Sequence, residues 1–391
     1  MIDVEEAKSL INQHTTTLSS IKVSLPEACG HVLARPVFAF CNIPVFRQSS
    51  MDGYAIKFRD VNKDLILKGE MPAGAMRSFE IYNGECARIF TGAPIPDGAD
   101  TVVMQEKVQV SNTTVRIDDP NLVFGANVRE IGAEIKSGSL AMDLGSYLSP
   151  PAIGFLAGIG INEVEVYKFP KLSIIITGRE LQKPGMTLNF GQVYDSNSYS
   201  LTAALKQEGI KQISVVSADD DLLILTNILR DQLLNYDVIL LTGGVSVGDY
   251  DFVLKATEAF GIDKIFHKVK QKPGKPLYFG KHGTKLVFGL PGNPSSVLSC
   301  YYNYVLPALR LLSGKDVPEN KEARLASAYS KPAGLTQFLK GHFSGGIVSP
   351  LDAQESFRLS SFAQSNCLVS LPEHQQHFEA GDLVEIILIP D

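Results

Sequence analysis

The sequence predicts a multidomain protein of mixed class, α/β plus all-β. We expect a doubly wound, mainly parallel α/β domain, a β-rich second domain and a small C-terminal β barrel. Three observations carry this prediction. From about residue 171, buried strand patterns alternate with helical ones, which is the grammar of an open parallel sheet with helices on both faces. From about 31 to 140, short alternating stretches such as Lys107–Ile117 sit between Gly, Pro, Asn and Asp clusters, which reads as β structure with irregular loops. After about Ser313 the chain becomes rich in Ser, Gly and short apolar stretches and ends LVEIILIP, which suits a small barrel or sandwich.

The elements follow in order. Val4, Ala7, Leu10 and Ile11 share one helical face over residues 4–13. SPPAIGFLAGIG reads as a short helix opened by Pro150 and Pro151, with Ala152, Phe155 and Leu156 inward. Leu172–Thr177 is a buried strand. A helix from about Ser198 turns Leu201, Ala204 and Leu205 inward and ends at Gly209. Ile213–Ser217 is the next strand, and Asp219, Asp220 and Asp221 suit the positive end of a helix running to about Leu234. Val238–Leu241, a helix over Asp251–Phe260, strands Pro276–Phe279 and Lys285–Leu290, and a long helix after PGNPSS complete the domain. That last helix carries Val297, Leu298, Tyr301, Val305, Leu306 and Leu309 inward.

At 391 residues the chain is too long for one ordinary domain. Hydrophobic residues at 45% and charged residues at 20% exclude disorder as the main state. The formal charge of −6 makes nucleic acid a poor partner. No apolar run reaches the roughly 18 residues of a membrane span, and MIDVEEAKSL lacks the features of a signal peptide. Cys29, Cys41, Cys86, Cys300 and Cys367 are scattered and odd in number, which fits a reducing compartment. The expectation is a soluble cytoplasmic protein.

The usual phosphate loop, zinc, serine-hydrolase and dinucleotide motifs are missing. His374 and His377 read as solvated loop residues rather than as a metal pair. Three loops stand out. In Thr242–Asp249, glycines let backbone N–H groups approach an anion, and Asp249 and Asp251 offer oxygen to a hard cation such as Mg²⁺. The same residues read equally as a Gly-rich turn with Asp251 as a helix cap. Residues 268–275 pack four lysines into eight positions. Period-two lysines more often mark a solvated strand face, but the adjoining Pro-Gly turn places them at a loop mouth suited to phosphate. In Phe288–Ser296, a strand, a stiff turn and a helix start bring backbone N–H groups and a positive dipole to one point. Together the loops suggest a site for a phosphorylated ligand with Mg²⁺, and do not name the ligand.

The strings SSMDGYA (49–55), RIFTGAPIPDGADTVVMQE (88–106), TGGVSVGDYD (242–251), KPGKP (272–276) and FGLPGNPSS (288–296) resemble those of the molybdopterin molybdenumtransferase (MoeA) family, related to the C-terminal part of gephyrin. They occur in the same order along essentially the whole chain. The resemblance implies an enzyme of molybdenum cofactor synthesis that takes adenylylated molybdopterin and molybdate, inserts the metal and releases AMP, with Mg²⁺ required. It implies a homodimer of four-domain subunits, in which the α/β domain of one subunit faces the β-rich domain of the other. The domains fall at 1–46 with 140–170 (linker and dimerisation), 47–139 (β-rich), 171–312 (molybdopterin-binding α/β) and 313–391 (C-terminal barrel). Molybdopterin adenylyltransferase and molybdoenzyme acceptors are the implied partners.

The resemblance also implies residue roles. Thr177, Gly178, Gly243, Gly244, Ser246, Gly248, Asp249, Pro291, Gly292, Asn293, Pro294 and Ser295 would cradle the pterin and its phosphates. Lys268, Lys272 and Lys275 would neutralise pyrophosphate or attract molybdate. Glu180, Asp220, Asp249 and Asp251 are the carboxylates for Mg²⁺. Asp52, Thr91 and Glu134 match active-cleft positions, and Ser360 and Ser361 match a serine-bearing stretch of the last domain. Each has a plainer competitor: an Asx turn for Asp52, a strand-end hydroxyl for Thr91, a surface carboxylate for Glu134. The chain departs from the family at Arg179, where an acidic residue is usual, and at Ala133-Glu134, where Glu-Asp is usual. Two other readings compete: adenylyl transfer to molybdopterin, and a gephyrin-like scaffold.

Overall fold

The computed structural model describes residues 1–219, 221–244, 252–317 and 319–390. The chain forms two compact units. One takes Met1–Lys22, Gly30–Ala34 and Glu165–Asp391; the other takes Val23–Cys29 and Arg35–Val164.

The first unit is built on a six-stranded sheet. Leu172–Thr177, Ile213–Ala218, Val238–Thr242 and Lys285–Leu290 run parallel; Tyr278–His282 and Asp263–His267 add an antiparallel edge. Every residue of Leu172–Thr177 is buried, as expected for a strand covered on both faces. Ile174 and Ile176 pack with Leu201, Leu205 and Val297 on one side; Ile175 packs with Leu225, Leu229 and Val253 on the other. The strand order turns at Leu172–Thr177, whose neighbours are Ile213–Ala218 and Val238–Thr242. In such sheets the ligand crevice lies beyond the carboxyl ends at this turning point.

Local chemistry explains the helices. Asp3 caps Val4–His14 by accepting from the Glu6 N–H at 2.8 Å. Asp221 caps Leu222–Asn235 by accepting from Leu223 and Ile224, both at 2.9 Å. Gly209 follows Asn197–Gln207 with φ +89°, which a side chain would resist.

The long helix after PGNPSS is not uniform. It runs as α-helix over Pro294–Cys300, as a π turn over Tyr301–Val305, and as α-helix again over Leu306–Leu312. Pro307 supplies no N–H to the carbonyl four residues back, and the ladder loosens just before it. Of the two readings of the lysine-rich stretch, the strand face is not what forms. It is no continuous strand: Lys268 takes φ +73°, only Gln271–Lys272 is extended, and a Pro-Gly turn follows. The next strand starts at Tyr278 rather than Pro276.

The C-terminal region is a barrel. Thr336–Ser344 pairs with Ile347–Pro350, then come Lys321–Leu325, Leu383–Leu388 and Cys367–Leu371, which pairs back to Thr336–Ser344 and closes five strands. Gln271–Lys272 adds alongside Thr336 and Gln337, which ties the lysine turn to the barrel rim.

The second unit carries a six-stranded sheet in the order Thr101–Met104, Gly53–Ile56, Glu85–Ile89, Leu65–Met71, Thr114–Ile117, Val108–Ser111. The alternation of Lys107–Ile117 is a hairpin turning at Asn112, φ +54°. Pro150–Gly158 is helical as expected, but only Leu156 is buried within it. Ala152 and Phe155 are half-buried, because the short, Gly-containing helix has a narrow inner face.

Candidate functional site

The carboxyl ends of three parallel strands converge. Thr177 ends Leu172–Thr177 and donates its hydroxyl to the Thr242 carbonyl at 3.0 Å; both residues are buried. Gly243 follows at φ +84°, and its N–H donates to the Leu290 carbonyl at 3.2 Å. A Cβ on Gly243 would stand 2.8 Å from Thr177 Oγ1, so only glycine fits. A Cβ on Gly292 would lie 3.9 Å from Gly243 Cα, which brings the first and third loops together. Gly178, at φ +129°, lies under the exposed Glu180 carboxylate. Gly244 has φ +64°. Ser246, Gly248, Asp249, Asp251 and Asp220 lie outside the described residues.

Among the described residues, three polar atoms at this end are buried with no hydrogen-bond partner: Thr242 Oγ1, Asn197 Oδ1 and Ser295 Oγ. Each such atom left without water or ligand costs about 1–3 kcal/mol, so each offers a hydrogen-bonding position to a bound molecule. Asn197 also donates from Nδ2 to the Gly292 carbonyl at 2.8 Å.

A cavity of about 940 Å³ opens between the sheet loops and the barrel. Its lining includes Lys272, Lys275, Pro291, Gly292 and Asn293, with Glu355, Ser356 and Phe357 from the barrel. The structure therefore joins the lysine turn to the Pro-Gly-Asn turn. Both lysines are exposed, and Lys268, half-buried, is not part of the lining. The barrel loop grips the helix start: the Ser295 N–H donates to the Ser356 carbonyl at 3.0 Å, and Asn293 Nδ2 donates to Ser356 Oγ at 2.8 Å. Pro294 opens the helix at its first turn.

The base of that loop is held by Lys340, which is 2% exposed. Its ammonium donates to the carbonyls of Ala353 at 2.7 Å, Arg358 at 3.0 Å and Glu355 at 3.4 Å. Ser361 is buried and donates its hydroxyl to Ala353 at 2.8 Å; Ser360 beside it is exposed.

In the second unit, SSMDGYA and RIFTGAP come together. One carboxylate oxygen of Asp52 accepts from the backbone N–H and the hydroxyl of Thr91. The Thr91 backbone bond above all, then its hydroxyl and nearby Arg88, hold the Asp52 carboxyl below its ordinary value of 3.8. Arg88 is fixed by a bond to the Gly53 carbonyl at 3.0 Å and lies over the Tyr54 and Phe90 rings. Gly53 is obligatory, because a Cβ there would stand 1.8 Å from the Val103 carbonyl oxygen. Glu134 is exposed, and its N–H donates to the Ile43 carbonyl at 2.9 Å.

Among the described residues no group of three His, Cys, Asp or Glu side chains is placed to hold a metal. Of the four expected cation ligands, Glu180 alone is described, and its exposed carboxylate offers the oxygen donor a hard cation takes. Sequence reasoning missed Gln271, Asn197, Lys340 and Ser356. The Asp195-Ser196-Asn197-Ser198 run before a helix was the available signal for Asn197.

Comparison with known proteins gives a consistent result. Residues 2–160 match the MoeA N-terminal region (domain I and II), 173–311 match a probable molybdopterin binding domain, and 322–389 match the MoeA C-terminal region (domain IV). A protein of Haemophilus influenzae named molybdopterin molybdenumtransferase is 32% identical over 401 residues, covering 99% of this chain and 98% of that one. One of Staphylococcus aureus with the same name is 31% identical, covering 99% and 95%. The crystal structure of the molybdopterin biosynthesis MoeA protein of Pyrococcus horikoshii superposes with a TM-score of 0.83 at 28% identity and full coverage of both chains.

Proposed function

The chain belongs to the molybdopterin molybdenumtransferase (MoeA) family, and on that premise we propose that it inserts molybdenum from molybdate into adenylylated molybdopterin and releases AMP. Its place as a transferase of molybdenum cofactor biosynthesis follows from the family. The finer reading is carried by one observation: Lys272 and Lys275 line a single cavity with Pro291, Gly292 and Asn293.

Two exposed ammonium groups in one concave site raise the local concentration of oxyanions. Cleaving a phosphoanhydride builds negative charge, and cations already in place stabilise that charge without reorganising. Asn293 and the glycine turns supply donors to the phosphates. Asp52, kept ionised by Thr91, accepts hydrogen bonds or ligates; it is no proton donor near neutral pH. Mg²⁺ would supply charge neutralisation at the phosphates, with Glu180, Asp220, Asp249 and Asp251 as its proposed oxygen donors.

We further propose a homodimer in the cytoplasm. Exposed Met186, Phe190, Val193, Tyr194 and Tyr199 give the first unit an apolar surface that suits a second copy. The described cysteines are all free, which suits a reducing compartment. Among the described residues no helix is long and apolar enough to cross a membrane. An adenylylating enzyme must supply the substrate, and apo-molybdoenzymes consume the product.

The test is AMP release from adenylylated molybdopterin with molybdate and Mg²⁺. Release that needs both ions supports the reading. No release above a protein-free control rejects it, and ATP consumption with metal-free molybdopterin would point to adenylyl transfer instead. Light scattering during gel filtration tests the dimer: a monomer mass excludes it.

A further inference from the structure

Gln271 is 1% exposed, and a glutamine so deep needs a partner at each end of its amide. It has both. Nε2 donates to the Gly274 carbonyl at 2.9 Å, and Oε1 accepts the hydroxyl of Tyr304. Tyr304 is likewise 1% exposed and comes from the π turn of the long helix. Cys300 stands one turn earlier and closes the remaining side. A Cβ on Gly274 would meet its sulfur at 2.5 Å, so the turn has no room for another residue.

These contacts enclose a particular piece of chain. Gln271 precedes Lys272, and Gly274 precedes Lys275. The buried chain from hydroxyl to amide to carbonyl therefore pins the turn between the two cations that line the cavity. Exposed lysines that share a cavity repel each other, and long side chains on a loose turn would splay into solvent. A turn fixed from below keeps both ammonium groups at the site before a ligand arrives, which is what makes a charged site effective.

We propose that Gln271 and Tyr304 are positioning residues for oxyanion binding: they hold the Lys272–Lys275 turn in its binding geometry and touch no ligand themselves. The inference rests on the reading of this cavity as an oxyanion site. Its competitor is plain core packing, in which the pair matters only for stability.

Two variants of the full chain separate these. Tyr304→Phe is isosteric and leaves the Gln271 amide oxygen unpaired. The double variant Gln271→Met with Tyr304→Phe removes the buried amide and hydroxyl together, and leaves only the Gly274 carbonyl to the weak Cys300 thiol donor at 3.8 Å. Molybdate and tungstate affinities are measured by calorimetry, alongside melting temperatures. We expect Tyr304→Phe to weaken oxyanion binding about tenfold, or about 1.4 kcal/mol, and to lower the melting temperature. The double variant should recover part of the melting temperature and keep the weakened affinity. Wild-type affinity in the double variant overturns the proposal and leaves the functional reading standing. No oxyanion binding by the unmutated chain overturns both.

Discussion

Thr91 donates both its backbone N–H and its hydroxyl to one carboxylate oxygen of Asp52, at 2.7 and 2.8 Å. A carboxylate held this way is favoured over the acid, so its folded pKa lies below the unfolded one. The stabilisation is present above the unfolded pKa and is lost as pH falls through the folded value. Thr91→Val removes the hydroxyl but keeps the larger backbone contribution. The Asp52 titration, followed by carbon NMR, should move part of the way back toward 3.8. An unmoved titration would show that the hydroxyl bond does not form in solution.

Asp52 is exposed, so its removal should leave folding intact. Asp52→Ala should slow AMP release about 100-fold or more, the scale of a lost group acting at the reacting centre. Circular dichroism melts provide the control. A wild-type rate would remove Asp52 from the site.

The sheet end of the first unit and the Asp52–Thr91 pair of the second differed in how much the sequence disclosed. Leu172–Thr177 was legible because a strand covered on both faces carries a run of apolar residues, here Ile174–Ile176, and the ends of the neighbouring helices were marked by Asp221 and Gly209. The Asp52–Thr91 pair lies 39 residues apart, and only the family resemblance singled out both residues. The Gln271 clasp was invisible: Tyr304 comes from 33 residues away, and nothing in a lone glutamine announces burial. Lys268–Lys275 was legible in part: the Pro-Gly turn was marked, while the period-two spacing that suggested a strand face comes from a left-handed Lys268 and that turn. Lys340 went unremarked, since its burial depends on three carbonyls that the loop brings to it.

The cavity lysines make a salt-dependent claim. Lys272→Ala and Lys275→Ala should each weaken molybdate binding about tenfold, on the scale of a charge-assisted contact. The double variant should also lose most of the salt dependence, since screening acts on the charges removed. Calorimetry between low and high salt checks this, and unchanged affinity in both single variants would move the oxyanion elsewhere.

Thiol chemistry gives a simple count. Burial pushes the Cys86, Cys300 and Cys367 thiols up to about 12, so they hold almost no thiolate at neutral pH. Cys29 is exposed and Cys41 half-buried. Titration with a disulfide reagent should give two reacting thiols in the folded chain and five after denaturation. A third fast thiol would mean that one of the three sites opens readily.

Lys340 makes the strongest demand on the barrel loop. A lysine at 2% exposure is tolerated because its ammonium donates to three carbonyls, of which Ala353 and Glu355 also accept from the Ser361 hydroxyl and the Arg358 N–H. Lys340→Met keeps the length and apolar stem but leaves Ala353, Glu355 and Arg358 with one donor fewer each. The cost should be about 1.5–3 kcal/mol in urea unfolding, the scale of lost hydrogen bonds from a charged group. The loss should be felt most where the carbonyls sit, in the segment that carries Ser356 to Asn293 and Ser295. Trypsin should then cut after Arg358 faster than in the unmutated chain, at protein concentrations where global unfolding is negligible. If stability falls while cleavage at Arg358 keeps its rate, the lysine supports the barrel wall and not the loop. If neither changes, the three carbonyl bonds are not what holds that loop against the helix start.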